Sequence, residues 1–156
     1  MSNQNHPGVI APPPLIYFGF LFLGWGLGQL VGDHGLGLPM EWRRGVAVVL
    51  IIAGLMLDGM AAGTFRRFGT PPEPWKPSTA LVESGPYRFS RNPIYVGFAV
   101  TYAGLAVAMD SLWALALLIP CLVVVDRWVI LREERYLESR FGQPYRDYKA
   151  RVRRWL

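Results

Sequence analysis

Cysteine is nearly missing from this chain and charge is scarce, and each shortage removes a class of protein. The 156 residues include one cysteine, Cys121, set inside an apolar stretch. A lone thiol builds neither a disulfide framework nor a cysteine metal site, so its expected role is packing. Charged residues make up 17% of the chain and hydrophobic ones 52%, with a mean hydropathy of +0.24, where a soluble domain carries about 25% charged residues. The two histidines, His6 and His34, have no metal-ligand partners at useful spacing. There is no internal repeat, which leaves a transporter of duplicated halves without support. "GWGLG" at residues 24–28 has the wrong spacing for a dinucleotide loop and no strand before it, so its small residues read as a helix-packing surface. Nothing basic precedes the first apolar run, which is therefore expected to be a retained helix and not a cleaved signal peptide.

What the chain does have is apolar length. Leu15–Val31 and Pro93–Met109 are uncharged runs of 17 residues; Gly45–Phe65, broken only by Asp58, and Ser111–Leu131, broken only by Asp126 and Arg127, each offer 21. A spanning helix needs about 17–25 such residues. The expected fold is an all-α integral membrane protein of about four transmembrane helices, followed by a C-terminal amphipathic helical segment that Gly142 and Pro144 break in two. The expected organisation is one membrane domain over residues 1–156: two helices in 1–65, a cytosolic loop in 66–92, a hairpin in 93–131 and a cytosolic tail in 132–156.

Basic residues give this arrangement an orientation. Arg66, Arg67, Lys76, Arg88 and Arg91 lie between the second and third runs, and eight more follow from Arg132 onward, while the connection at Asp110 and Ser111 has none. The bias predicts a cytoplasmic loop, tail and N-terminus in a multi-pass protein, on this pattern of a bacterial inner membrane. The net charge of +5 would meet anionic membrane lipids. Nucleic acid is the poorer partner, because no reading module is present.

Measured from Asp110, Asn92 lies 18 residues back and Glu133 lies 23 residues on. At 1.5 Å per residue these are drops of about 27 and 34 Å, close to a hydrocarbon thickness of about 30 Å. "GPYRFSRNPIY" and "REERYL" are thus expected at one depth. Pro86 and Pro93 interrupt helix and are expected to leave backbone donors free. Tyr87 and Tyr95 offer flat faces with polar tips, and Glu133 and Glu134 offer negative charge, a combination suited to a flat zwitterionic ligand with a cationic part. Read singly, the arginines and tyrosines are interface anchors, with Trp155 in the headgroup layer.

"LVESGPYRFSRNPIYVGF", followed after a hairpin by "REERYLESRFGQPYRDYKARVRRWL", resembles the isoprenylcysteine carboxyl methyltransferase family, within the wider group of integral-membrane methyltransferases that includes phospholipid methyltransferases. The likeness runs from about Thr70 to Leu156. It implies an enzyme using S-adenosyl-L-methionine at the cytosolic interface, with a lipid or other lipophilic acceptor arriving from the bilayer. Carried onto this chain, the cofactor contacts would be Thr79, Ala80, Leu81, Val82, Tyr87, Asn92, Pro93, Ile94, Tyr95 and one glutamate of Glu133 and Glu134. Arg91 or Arg88 would pair with the cofactor's carboxylate. The proline-rich loop "GTPPEPWKPSTALV" would ride over it. Asn92 stands where the family pattern has histidine, and an asparagine exchanges hydrogen bonds without shuttling protons. Asn92, Tyr95, Glu133 and Glu134 are the catalytic candidates, and Asp126 is a further base if the acceptor is an amine. Carboxyl, thiol and amine acceptors all remain open.

Asp58 and Arg127, both inside apolar runs, are acceptor-side candidates. They could equally pair with each other, and Arg127, one heptad before Glu134, could merely neutralise an acid. The competing class is a non-enzymatic membrane scaffold or small-solute carrier.

Overall fold

The computed structural model of the protein describes residues 12–73 and 76–156; His6, and Pro74 and Trp75 of the proline-rich loop, lie outside them. Helices α1 (Pro13–Val31), α2 (Met40–Arg67), α3 (Pro93–Ala108) and α4 (Leu112–Val124) follow the four apolar runs. From α4 the helix continues through a π-helical segment, Val125–Ile130, into α5 (Leu131–Phe141), and α6 (Gln143–Arg151) closes the chain. No strand occurs among the described residues. The protein is thus an all-α, multi-pass membrane protein: α1, α2 and the continuous Leu112–Phe141 helix are long and apolar enough to cross, and α3 is a shorter apolar helix.

Local chemistry sets the ends. Pro13 and Pro93 open α1 and α3, where a missing N–H costs nothing. Glu41 sits in the first turn of α2 and Arg66 and Arg67 in its last, each opposing the helix dipole. Gly69 and Gly142, at φ 65° and 60°, take the positive-φ backbone that glycine allows where the chain turns out of α2 and α5. Pro120 inside α4 withholds the N–H that the Ala116 carbonyl would accept, and one turn later the ladder widens into the π segment.

Lipid offers no hydrophobic drive between helices, so close backbone approach carries the packing. Along α2 and α3, Gly54, Gly97 and Gly104 meet the opposite backbone: a Cβ on Gly54 would lie 2.6 Å from the Gly97 carbonyl oxygen, and one on Gly104 would lie 3.0 Å from that of Ala47. Gly24, from the "GWGLG" stretch, faces Ala114 at 2.5 Å in the same sense, which identifies that stretch as a contact surface between α1 and α4. The core between α1, α3 and α4 is tied by two buried tyrosines. Tyr17 donates to the Tyr95 carbonyl at 2.9 Å and Tyr102 to the Ala114 carbonyl at 2.7 Å. Cys121 is buried in this core. Val48, Val49, Ile52, Met56 and Met60 of α2 are exposed and face lipid.

At the end of the bundle away from the basic loop, two aspartates fasten the connections. The Asp33 carboxylate accepts from the Ser111 hydroxyl at 2.6 Å and from the Leu112 and Gly35 N–H groups at 3.1 Å. Asp110, in the left-handed region at φ 53°, accepts from the Leu36 N–H at 3.0 Å and pairs with Arg43. The Ser111 hydroxyl beside Asp33, and the Leu36 N–H together with Arg43 beside Asp110, hold both carboxyls below the usual range.

Two outcomes follow from this packing. Gly54→Ala should destabilise the protein by about 1–3 kcal/mol through overpacking, whereas Gly59→Ala, where nothing lies within 4 Å, should be neutral or gain up to about 1 kcal/mol of helix propensity; thermal unfolding in detergent measures both. A depressed carboxylate pKa contributes stability in full above the unfolded value of about 3.9 and loses it as pH falls through the folded value. Hydrogen-exchange protection of the Gly35, Leu36 and Leu112 amides should therefore hold from about pH 7 to 5 and fall below about pH 4.

Candidate functional site

The basic end of the bundle holds a cavity of about 360 Å³. The N-terminal halves of α1 and α3, the C-terminal end of α2, the loop around residues 78–82, α5 and α6 all contribute to its wall. Its position follows from the depth argument: Tyr95 in α3 donates its hydroxyl hydrogen to Glu133 in α5 at 2.6 Å, and Arg91 meets Glu134 at 2.7 Å. Two stretches some 40 residues apart in sequence are thus brought into direct contact.

The two glutamates differ in their partners. Glu134 is buried and doubly compensated, by Arg91 at 2.7 Å and by Arg154 at 2.8 Å. Glu133 is held by the Tyr95 hydroxyl and is not ion-paired among the described residues. A carboxylate that borders a cavity with no cation beside it can receive a cation from a ligand. Tyr87, Tyr145 and Tyr148 also line the cavity, and burial pushes their hydroxyls well up, so they remain neutral donors with flat apolar faces. Tyr87 packs edge-on against Phe65 with ring centroids 5.0 Å apart.

Of the residues singled out from sequence, Asp58, Ala80, Leu81, Val82, Tyr87, Arg91, Asn92, Ile94, Tyr95, Glu133 and Glu134 line the cavity. Thr79 does not: its N–H donates to Thr70 Oγ1 at 2.9 Å and its hydroxyl to the Gly69 carbonyl at 3.1 Å, so it pins the loop. Pro93 serves as the buried first residue of α3. Arg127 is 70% exposed and lies beside Asp126 at 3.8 Å, not beside Asp58. The heptad relation between Arg127 and Glu134 assumes an unbroken α-helix, and the intervening π segment rotates the earlier residues away from the cavity. Arg88 is exposed and outside the lining. Asp126 is likewise outside it, held by Arg154 at 3.2 Å and by the Trp155 indole N–H at 3.0 Å.

The expectation of free backbone donors is also corrected. The N–H groups of Tyr87, Phe89 and Ser90 bond within their own turn, that of Arg91 donates to the Arg153 carbonyl at 2.9 Å, and that of Asn92 to Ser90 Oγ at 3.1 Å. The C-terminal segment after α6 straps this stretch down. The Arg154 carbonyl accepts from the Asn92 amide at 2.9 Å and from the Ser90 hydroxyl at 3.3 Å, while Arg154's guanidinium reaches Glu134 and Asp126. Trp155 packs partly buried against the core. Sequence reading missed Arg154 as a site residue because "ARVRRWL" looks like one more basic tail. It also missed Tyr148, whose hydroxyl donates to the Tyr87 carbonyl at 2.8 Å, and Tyr136, whose hydroxyl accepts from the Ser78 N–H at 3.2 Å.

The phospholipid methyltransferase family matches residues 42–144, from α2 into the start of α6. An uncharacterised protein of Haemophilus influenzae is 57% identical over 35 residues, which cover 22% of this chain and 56% of that protein's length. The nickel-cobalt-cadmium resistance protein NccN of Alcaligenes xylosoxydans xylosoxydans is 29% identical over 173 aligned positions, covering 97% of this chain and 72% of NccN.

Arg154→Ala removes one of the two cations on Glu134 and should lower stability by about 1–3 kcal/mol, the range for a charged hydrogen bond lost at a partly exposed site. Arg146→Ala, whose partner Glu138 lies 4.0 Å away at the surface, should change stability by less than about 1 kcal/mol. Chemical unfolding of both variants in the same detergent checks the difference.

Proposed function

The chain belongs to the phospholipid methyltransferase family and is a membrane methyltransferase, and we propose that its methyl donor is S-adenosyl-L-methionine, bound in the cavity between α3, α5 and α6, with a lipophilic acceptor reaching the same cavity from the bilayer. The observation that carries this reading is the Glu133 carboxylate, fixed by Tyr95 and without an ion pair among the described residues, beside a fully compensated Glu134. The donor set fits the cofactor's groups: a carboxylate for its ammonium, tyrosine faces for its flat and cationic parts, and a volume of about 360 Å³, within the roughly 300–1,000 Å³ of small-molecule sites. Arg91, whose Nε–H is buried without a partner among the described residues, has a donor left for the cofactor's carboxylate.

When bound, the cofactor supplies an activated methyl group. What the protein's own residues contribute is orientation, which can account for much of the acceleration of a displacement reaction. Glu133 and Tyr95 hold one end of the site. The loop around Ala80–Val82, pinned by Thr79, covers it, and the C-terminal strap keeps α5 and α6 against the start of α3. Asn92 acts here as a hydrogen-bonding latch to Arg154, so a proton shuttle at this position is unnecessary. The basic end, and with it the site, faces the cytoplasm in this reading.

Binding of S-adenosylhomocysteine to detergent-purified protein tests the proposal. Glu133→Gln should weaken it by about 1.5–3 kcal/mol, the range for a charge-assisted hydrogen bond, without a comparable loss of thermal stability. Asn92→His should keep binding and activity, with no new rate-controlling ionisation near the histidine pKa of about 6.5, whereas Asn92→Ala should lose affinity through the released strap. Parent-like affinity in Glu133→Gln would sink the assignment.

A further inference from the structure

We infer that a lipid-facing groove between α1 and the continuous Leu112–Phe141 helix is a binding site for an anionic phospholipid, with an acyl chain lying in the groove and the phosphate held by Arg127. The site is separate from the cavity at the basic end: among the described residues, none lines both.

The groove follows from how the two helices meet. α1 and α4 touch where Gly24 faces Ala114. On the basic side of that contact a space of about 340 Å³ opens between them, walled by Leu15, Phe20 and Leu23 on one side and by Val124 and Trp128 on the other. Gly19 lines it as well, and nothing lies within 4 Å of a Cβ built there, so the missing side chain is part of the space. Leu15, Leu23 and Trp128 are exposed, which opens the groove sideways to the bilayer. From Leu15 to Leu23 is about 12 Å of helix axis, enough to lodge the headgroup-proximal part of an acyl chain.

An apolar groove accepts the chain of any lipid; Arg127, next to Trp128, selects the headgroup. It stands 16 residues beyond Ser111, the cap of α4 at the opposite end, which is about 24 Å of helix against a hydrocarbon thickness of about 30 Å. Its backbone is therefore short of the interface at the basic end, and its long side chain extends to headgroup depth. A charge at such a depth on a lipid-facing surface needs an anionic partner. The protein does not reserve one for it. Asp126, 3.8 Å away, already accepts from Arg154 at 3.2 Å and from the Trp155 indole N–H at 3.0 Å, and Arg127 has no other ion pair among the described residues. A lipid phosphate presents oxygens that match the guanidinium fork. In a zwitterionic lipid the headgroup's own cation competes for that phosphate, and in an anionic lipid nothing does. Trp128 suits the same depth, with an apolar ring for the chain and an N–H for the headgroup layer.

The test titrates the full chain, in uncharged detergent, with dioleoylphosphatidylglycerol, dioleoylphosphatidylcholine and glycerol 3-phosphate, and reads the concentration that half-saturates thermal stabilisation. The parent protein should take the anionic lipid about fivefold more tightly than the zwitterionic one, the worth of one basic residue near an anionic headgroup. Glycerol 3-phosphate, which has no chain, should not stabilise it at the same concentrations. Arg127→Gln should reduce the preference to less than about twofold, and Arg127→Lys, which keeps the charge, should retain it. Gly19→Leu fills the groove where there is room for a side chain and should weaken both diacyl lipids by at least about fivefold with Arg127 intact. Equal binding of the two lipids by the parent, or stabilisation by glycerol 3-phosphate as strong as by the anionic lipid, would overturn the inference. So would a preference that survives Arg127→Gln, which would assign it to the basic loop and tail as a whole. Unchanged lipid affinity in Gly19→Leu would overturn it too, and a dimer lost in that variant would give the groove to a second copy of this chain instead.

Discussion

The pairing of Glu134 with Arg91 and Arg154 is the interaction on which the basic end of this protein depends. It joins the segment before α3, the first turn of α5 and the C-terminal strap, three pieces far apart in sequence. A buried ion pair gives little net stability by itself, because desolvating the charges offsets their attraction. Its effect here is geometric. With Glu134 compensated, Arg91 and the strap are held in one position, the start of α3 is fixed against α5, and the adjacent Glu133 is left facing the cavity with Tyr95 as its hydrogen-bond partner. Two neighbouring glutamates of the same intrinsic chemistry thereby acquire different roles.

That arrangement works only because the helices around it approach closely. Gly54, Gly97 and Gly104 bring the α2 and α3 backbones together, and Gly24 does so for α1 and α4, in a solvent that supplies no hydrophobic force between helices. Gly97 belongs both to this contact and to the space for Asp58, so packing and site share a residue. The π segment has a comparable double effect. By widening the helix after Pro120 it turns Arg127 outward and Val129 and Ile130 into the core, so that both glutamates of the following turn meet the residues around α3.

Membership in the phospholipid methyltransferase family, matched over residues 42–144, covers the helices that build most of the cavity, but the strap that closes it lies beyond the match. Arg153, Arg154 and Trp155 contact the family-matched core through backbone carbonyls, the Arg154 guanidinium and the Trp155 indole N–H. Asn92 bonds to one of those carbonyls, which gives a physical account of an asparagine at this position: its amide is a latch donor.

The sequence by itself determined the solvent, the number of apolar helices, the break of the tail at Gly142, and the nearness of the stretch around Arg91 and Tyr95 to the two glutamates. Each of these follows from hydropathy, proline and glycine chemistry and a constant rise per residue, all local or additive properties. Only the tertiary structure decided which glutamate is free, where Arg127 points, whether the donors near Pro93 stay open, and what Arg154 and Trp155 do. Those outcomes turn on a change of helical pitch and on contacts between residues as many as 64 positions apart, such as Ser90 with Arg154. Neither is encoded in the run of residues around the group concerned, because the partner that satisfies a buried charge or N–H is chosen by the packed shape and not by its neighbours in the chain.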